Sequence, residues 1–455
     1  MAATQDAQEL FNSHDSAVAP LGLVVTEGAR ELGEKINAHL VSWATPDNNP
    51  RGTFLVENEC PRFSSGDSKG LIRSTIRGDD LFFLVDVGNY SCTYKLFGKQ
   101  NAMSPDDHFQ DLKRLIQAAS GKAHRISVIM PLLYGGRQHR RSYRESLDCA
   151  CALQELQAMG VSNIVTFDAH DSRVQNAVPL MGFDNVMPYY QVLKALTRKI
   201  PDLKLNREHF MVVSPDEGAM NRNMYYASVL GVDLGMFYKR RDYSRVVNGR
   251  NPIVAHEYLG ASVEGKDIFI TDDIISSGES MLDIAYELKK QKASRIFCYA
   301  TYSIFTNGLD DFDKAYHDGV INGVLGSNLT YRTDALKQRE WFFEVDVSKY
   351  IAYFIAAVNH DISVSAIIDP HEKIQALLKN TSPKVGLTKK ISLALLRNKK
   401  PSLQMAFCYF DFHRIRTVLL SSLSNSVERL ALAWLFPVYF VEKDDFFKIG
   451  FTLAC

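Results

Sequence analysis

No charge of either sign dominates this sequence: Lys and Arg together number 52, and so do Asp and Glu. That balance gives no global attraction to nucleic acid or to an anionic membrane, so basic stretches are read as local site chemistry. Paired cysteines are missing too. The seven thiols, Cys60, Cys92, Cys149, Cys151, Cys298, Cys408 and Cys455, are odd in number and contain no C-x-x-C. This argues against a disulfide frame or a zinc site and for reduced thiols in a cytoplasmic protein. Residues 1–20 lack a basic start followed by an apolar run, so no secretory signal is expected. The longest apolar stretch, 430–441, is too short to span a bilayer and Pro437 interrupts it. What is present is 46% hydrophobic residues over 455 positions, enough for two or three soluble domains with cores of their own.

From about residue 21 to 360, short apolar runs alternate with helical patterns. Strands are predicted at 21–25, 81–87, 126–132, 164–167, 210–214, 268–271 and 296–302. After Gly278, the residues Met281, Leu282, Ile284, Ala285 and Leu288 fall on one helical face. Strands alternating with helices predict βαβ units and a mainly parallel sheet in each of two tandem α/β domains, joined near residue 190. Ligands of such sheets gather beyond the carboxyl ends of strands. From Pro383 onward the alternation fades and basic pairs at 389–390 and 399–400 punctuate apolar patches, which predicts an appendage to the α/β core.

The turn Ile270-Thr271-Asp272-Asp273-Ile274-Ile275-Ser276-Ser277-Gly278-Glu279-Ser280 leaves an apolar strand and opens a helix. Free N–H groups at a helix start bind phosphate, and Ser276, Ser277 and Ser280 add hydroxyls. Asp272 and Asp273 suit ribose hydroxyls or a shared Mg²⁺, because carboxylates accept hydrogen bonds and ligate hard cations. Read on these residues alone, the turn is equally a capped helix start with incidental acids.

The turn resembles the 5-phosphoribosyl diphosphate loop of type I phosphoribosyltransferases and, more closely, of ribose-phosphate diphosphokinases. The match runs from about residue 21 to 370 and is carried by several separated motifs. Asp168-Ala169-His170 resembles the family's Asp-x-His, which implies that His170 contacts the Mg²⁺ of ATP. Ser214-Pro215-Asp216-Glu217-Gly218 is similar to Ser-Pro-Asp-x-Gly, which implies a second Mg²⁺ at Asp216. Arg137 and Gln138 resemble the Arg-Gln pair that contacts ATP, and Arg144 keeps the family's spacing. Phe63-Ser64-Ser65-Gly66-Asp67 resembles a segment reaching the adenine pocket of a neighbouring subunit, with Ser65 and Asp67 as shorter versions of Asn and Glu. Lys239 and Arg241 match the Lys-x-Arg at the root of the catalytic loop, where cationic groups stabilise a phosphoryl-transfer transition state.

The departures are equally plain. Ser276 stands where the family has Asp, Glu279 where it has Gly, His139 where it has Asp, and Asp171 where a small residue is usual. The resemblance implies two phosphoribosyltransferase-like domains, at 21–189 on the ATP side and 190–382 on the ribose 5-phosphate side. A leader at 1–20 and an extension at 383–455 flank them. It implies ATP and ribose 5-phosphate as substrates, Mg²⁺ as cofactor, and a homo-oligomer that shares its ATP site. Asp272, Asp273, Ser276, Ser277, Gly278, Glu279 and Ser280 would hold ribose 5-phosphate. A type I phosphoribosyltransferase and a non-catalytic regulatory relative are the alternatives, the latter able to tolerate Glu279 and His139. RNA binding by the basic loops at 137–144 and 239–250 is the weakest alternative, given the neutral balance.

Overall fold

The computed structural model describes residues 17–44, 49, 52–241 and 253–381. The extension expected at 383–455 lies outside the described residues, as does nearly all of the leader. In chain order the first strands are β1 (Leu21–Val25), β2 (Leu55–Val56), β3 (Asn58–Glu59), β4 (Leu71–Ile72), β5 (Asp80–Leu84), β6 (Thr93–Leu96), β7 (Lys99–Ala102), β8 (Arg125–Ile129), β9 (Asn163–Phe167) and β10 (Gly182–Val186). There follow β11 (Phe210–Ser214), β12 (Asp233–Arg241), β13 (Ile253–Leu259), β14 (Asp267–Ile275), β15 (Ile296–Ser303), β16 (Gly323–Ser327) and β17 (Phe342–Val345).

All seven runs expected to be strands are strands, in β1, β5, β8, β9, β11, β14 and β15. They are central and buried on both faces, which is why each reads as a continuous apolar run. The helix Glu279–Lys290 buries the five residues expected on its apolar face, Met281, Leu282, Ile284, Ala285 and Leu288.

The larger strands form two sheets, ordered β10-β9-β8-β5-β1-β2 and β13-β12-β11-β14-β15-β16-β17. Every pairing in them is parallel except the edge pair of β12 with β13. With β13 and the two small hairpins set aside, the two halves place their strands in the same order: second, first, third, fourth, fifth, sixth. An ion pair repeats with the topology. Asp80 opens β5 and grips Arg125 at 2.9 and 2.7 Å, while Asp267 opens β14 and grips Arg295 at 3.0 and 2.7 Å. The arginine in each case starts or precedes the fourth strand of its half.

The halves also exchange helices. Tyr189–Lys199, which follows β10, packs on β16 and β17 of the second sheet, and Ser348–Asn359, which follows β17, packs on Arg30–Trp43 of the first half. One apolar core therefore runs through both halves, joining Leu23, Phe82 and Val165 to Phe210, Phe269 and Ile355. The carboxyl end of each sheet is left facing strand-end loops of the other half. That is where site residues collect.

Candidate functional site

Two cavities lie at those strand ends. The larger, about 720 Å³, is lined from the ends of β1 and β5 and by the loop after β16. Its buried Asp86 and Arg332 are paired with protein groups, although Arg332 Nε has no hydrogen-bond partner. Asp86 accepts Gly88 N at 2.9 Å, Thr330 Oγ1 at 3.0 Å and Tyr331 N at 2.9 Å, and Arg332 pairs with Glu31 and Glu344. The smaller, about 560 Å³, stands in the equivalent place on the second sheet and is lined by the sequence motifs themselves.

Two turns build its floor. At the end of β11 the chain reverses through Ser214-Pro215-Asp216, with Ser214 Oγ donating to Asp216 O at 2.8 Å and Asp216 Oδ1 accepting Ala219 N at 3.1 Å. At the end of β14 the acid pair gives way to Ser276, Ser277 and Gly278 before the helix begins. Gly278 has φ +89°, and a Cβ there would lie 2.3 Å from Phe312 Cε2, so both the backbone and the space beneath it require glycine. Asp216, Asp272, Asp273, Ser276, Ser277, Gly278 and Ser280 all line the cavity.

The first half supplies the opposite wall. His170, in the loop after β9, bonds through Nδ1 to Asp273 Oδ2 at 2.7 Å, which leaves its other ring nitrogen for a ligand. Arg137 and Arg140, in the loop after β8, reach the same cavity.

The electrostatics of the acid pair are asymmetric. Burial, reinforced by Asp273 alongside, pushes the Asp272 carboxyl well above the usual range, against the pull of Arg222. Burial also pushes Asp273 up, but the His170 hydrogen bond and Arg222 outweigh it and hold Asp273 low. In return the Asp273 hydrogen bond raises His170. The two adjacent acids of this partly closed site are thus driven in opposite directions, Asp272 up and Asp273 down.

Sequence reasoning missed the group beneath this pair. Arg222, from the helix Met220–Leu230, lies 3.6 Å from Asp272 Oδ1 and is fixed from below by Asp168 at 2.7–3.0 Å. Asp168 ends the fifth strand of the first sheet at φ +45° and also accepts Thr301 Oγ1 at 2.6 Å. The available signal was an arginine in the first turn of a helix whose neighbours Asn223, Tyr226 and Ala227 face inward.

The other sequence-derived residues fall elsewhere. Gln138 donates within its own loop, to Arg140 O, Glu145 Oε2 and Ser146 O, and does not line the cavity. Phe63, Ser65 and Asp67 form a tight exposed turn, with Ser65 Oγ donating to Asp67 Oδ2 at 2.8 Å, away from this cavity. Lys239 and Arg241 lie on β12, paired in the backbone with His256 and Ile253, and their side chains lie outside the described residues. Glu279 turns out of the cavity, where its Oε1 accepts Asn307 Nδ2 at 3.2 Å.

The comparisons with known proteins divide along the same two halves. Residues 21–160 match the model of the N-terminal domain of ribose phosphate pyrophosphokinase, and residues 183–318 match that of the phosphoribosyl transferase domain. Together they take in more than half of the chain. The chain belongs to the ribose-phosphate pyrophosphokinase family. Ribose-phosphate pyrophosphokinase of Ralstonia nicotianae is 29% identical over 293 residues, covering 63% of this chain and 80% of the relative. The Vibrio cholerae protein of the same name is 27% identical over 315 residues, covering 68% and 90%. Among solved structures, phosphoribosylpyrophosphate synthetase from Mycobacterium smegmatis aligns with a TM-score of 0.60 at 19% identity. That alignment covers 75% of this chain and 99% of that one, a likeness of fold. The two tandem phosphoribosyltransferase-like domains expected from the family are therefore the architecture of this chain.

Among the described residues no cluster of three His, Cys, Asp or Glu forms a ready-made metal cage. His170, Asp216, Asp272 and Asp273 nonetheless line one cavity. A few hard oxygen donors beside a hydroxyl-rich turn fit Mg²⁺, which keeps waters and takes phosphate oxygens rather than an all-protein cage. No helix among the described residues is long and apolar enough to cross a membrane.

Proposed function

We propose that this chain is a ribose-phosphate diphosphokinase, moving the β,γ-diphosphate of ATP onto O1 of ribose 5-phosphate and releasing AMP. The observation that carries the reading is one cavity lined jointly by the acid pair and hydroxyl-rich turn of the second sheet and by His170, Arg137 and Arg140 of the first. A phosphoribosyltransferase acting with its second sheet alone would have no use for that basic wall.

In this reading 21–189 is the nucleotide side and 190–382 the sugar side. The N–H groups and hydroxyls of 276–280 take the 5-phosphate at the start of the helix Glu279–Lys290. Asp272 and Asp273 accept the sugar hydroxyls. Arg137 and Arg140 meet the triphosphate, as guanidinium forks suit phosphate oxygens. Mg²⁺, held by His170 and Asp216 with water and phosphate oxygens, would neutralise charge on the triphosphate. O1 attacks the β-phosphorus in line, the bond from that phosphorus to the bridging oxygen of AMP breaks, and the O1 proton passes to solvent. Lys239 and Arg241 stabilise charge on the transferring group. Phe63, Ser65 and Asp67 act on the adenine of a neighbouring copy in a homo-oligomer. Their exposed turn, remote from this chain's own cavity, supports that role.

The test is a nucleotide balance with ATP, Mg²⁺ and ribose 5-phosphate. AMP formation dependent on the sugar phosphate is expected. Its absence, or its replacement by ADP, overturns the reading.

A further inference from the structure

Arg222 is clamped by Asp168 and keeps one buried nitrogen without a hydrogen-bond partner. Its side chain is 8% exposed, and Asp168 fixes the guanidinium through Nε and Nη2 at 2.7–3.0 Å. Thr301 in turn locks Asp168 from β15. This fork gives Nε and Nη2 their partners. The third, Nη1, is buried, has no hydrogen-bond partner, and belongs to a residue that lines the cavity. Asp272 Oδ1 at 3.6 Å is beyond hydrogen-bond reach, and the Asp168 fork prevents the guanidinium from swinging to close the gap. A buried N–H of a charged group left unpaired is costly and is retained where an incoming group completes it.

The neighbouring oxygen defines that group. Asp272 Oδ1 accepts Asp273 N at 2.8 Å and keeps a second lone pair. Nη1 and Oδ1 together thus present a donor and an acceptor 3.6 Å apart. A phosphate oxygen only accepts, so it would satisfy Arg222 but leave Asp272 Oδ1 facing a second acceptor. A carbon lacking its hydroxyl satisfies neither. A hydroxyl accepts from one and donates to the other.

We propose that Arg222 is a specificity-determining residue that reads a sugar hydroxyl, with Nη1 donating to the hydroxyl oxygen and Asp272 accepting its proton. The inference rests on the proposed sugar-phosphate acceptor. It adds a discriminating contact that the acid pair alone would not supply, because a carboxylate can also be satisfied by water or a cation.

The experiment compares ribose 5-phosphate with 2-deoxyribose 5-phosphate and 3-deoxyribose 5-phosphate in the wild type, Arg222→Lys and Arg222→Met. For the wild type, one deoxy sugar should lose roughly 100-fold or more in kcat/KM, the scale on which a site built around a hydroxyl rejects its absence. The Arg222 variants should lose roughly 10- to 100-fold with ribose 5-phosphate, as expected for one hydrogen bond to a charged group. They should lose little further with that deoxy sugar, so the discrimination ratio falls at least tenfold. Equal losses for all sugars would mean that Arg222 only holds the fold, and would overturn the proposal. Should neither variant fold, calorimetric titration of the wild type with the three sugar phosphates decides, and equal affinities overturn it. A wild type that binds ribose 5-phosphate selectively but forms no AMP would refute the proposed reaction and leave this contact standing.

Discussion

Gly278→Ala should damage both the fold and the cavity-lining turn at 276–280, by two separable amounts. Gly278 has φ +89° and ψ −10°, which costs a residue with a Cβ about 1–2 kcal/mol. The added Cβ would also stand 2.3 Å from Phe312 Cε2 and 2.6 Å from Cζ. Phe312 is fully buried against Phe305 and Trp341, with ring centroids at 4.9 and 5.6 Å, so it has little room to retreat. Overpacking of this kind costs about 1–3 kcal/mol. The single variant should therefore lose about 2–5 kcal/mol in urea unfolding, with a raised KM for ribose 5-phosphate because Ser276–Ser280 must shift. Phe312→Leu removes the ring atoms in question. In the double variant the steric part should be relieved while the backbone part remains, giving a coupling of about 1 kcal/mol or more in the rescuing direction. Strictly additive losses, or a Gly278→Ala protein as stable as the wild type, would refute the geometry argued for this turn.

Three further outcomes are expected. Burial pushes the Asp86 carboxyl up from the usual 3.8 to about 7, against its hydrogen bonds from Thr330, Gly88 and Tyr331. The folded state then binds a proton that the unfolded state releases, so stability falls as pH rises through that window by up to about 4 kcal/mol. Asp86→Asn should flatten this slope in urea unfolding between about pH 4 and 7, and an unchanged slope would contradict the assignment. Glu279→Gly should leave KM for ribose 5-phosphate within a few-fold and slightly lower Tm, because the side chain faces Asn307; strongly tightened binding would place the carboxylate against the phosphate instead. Lys239→Ala should lower turnover by roughly two orders of magnitude with KM for ATP little changed, and near-normal turnover would remove Lys239 from the transition state.

Much of the fold was legible because its central strands are buried on both faces. Runs such as 210–214 and 296–302 then carry an unbroken apolar signal. The strands that escaped notice lie nearer the edges. β10 is Gly-Phe-Asp-Asn-Val and mostly half-exposed, and β16 is Gly-Val-Leu-Gly-Ser, with two glycines that blunt any β signal. The duplication of the two sheets was invisible as residues, because it resides in strand order and in one repeated Asp–Arg clasp at the strand starts.

At the site, the acids and the turn at 270–280 could be read from spacing because they are contiguous on one strand and its loop. Arg222 could not. Its meaning depends on Asp168, 54 residues earlier and at the end of a strand in the other sheet, and on Thr301 further along the chain. Glu279 is the converse case. It looked troubling in one dimension because the residues on either side line the cavity, yet a helix start sends adjacent side chains in different directions, and this one leaves the cavity.

The central claim is that a diphosphate, not a single phosphoryl group, passes to the sugar across the cavity between the two sheets. ATP labelled at the β-phosphorus tests it most directly when incubated with Mg²⁺ and ribose 5-phosphate. The account predicts that the label leaves with the ribose product while AMP emerges unlabelled. Label retained in ADP, with the sugar carrying only the γ-phosphate, would contradict it.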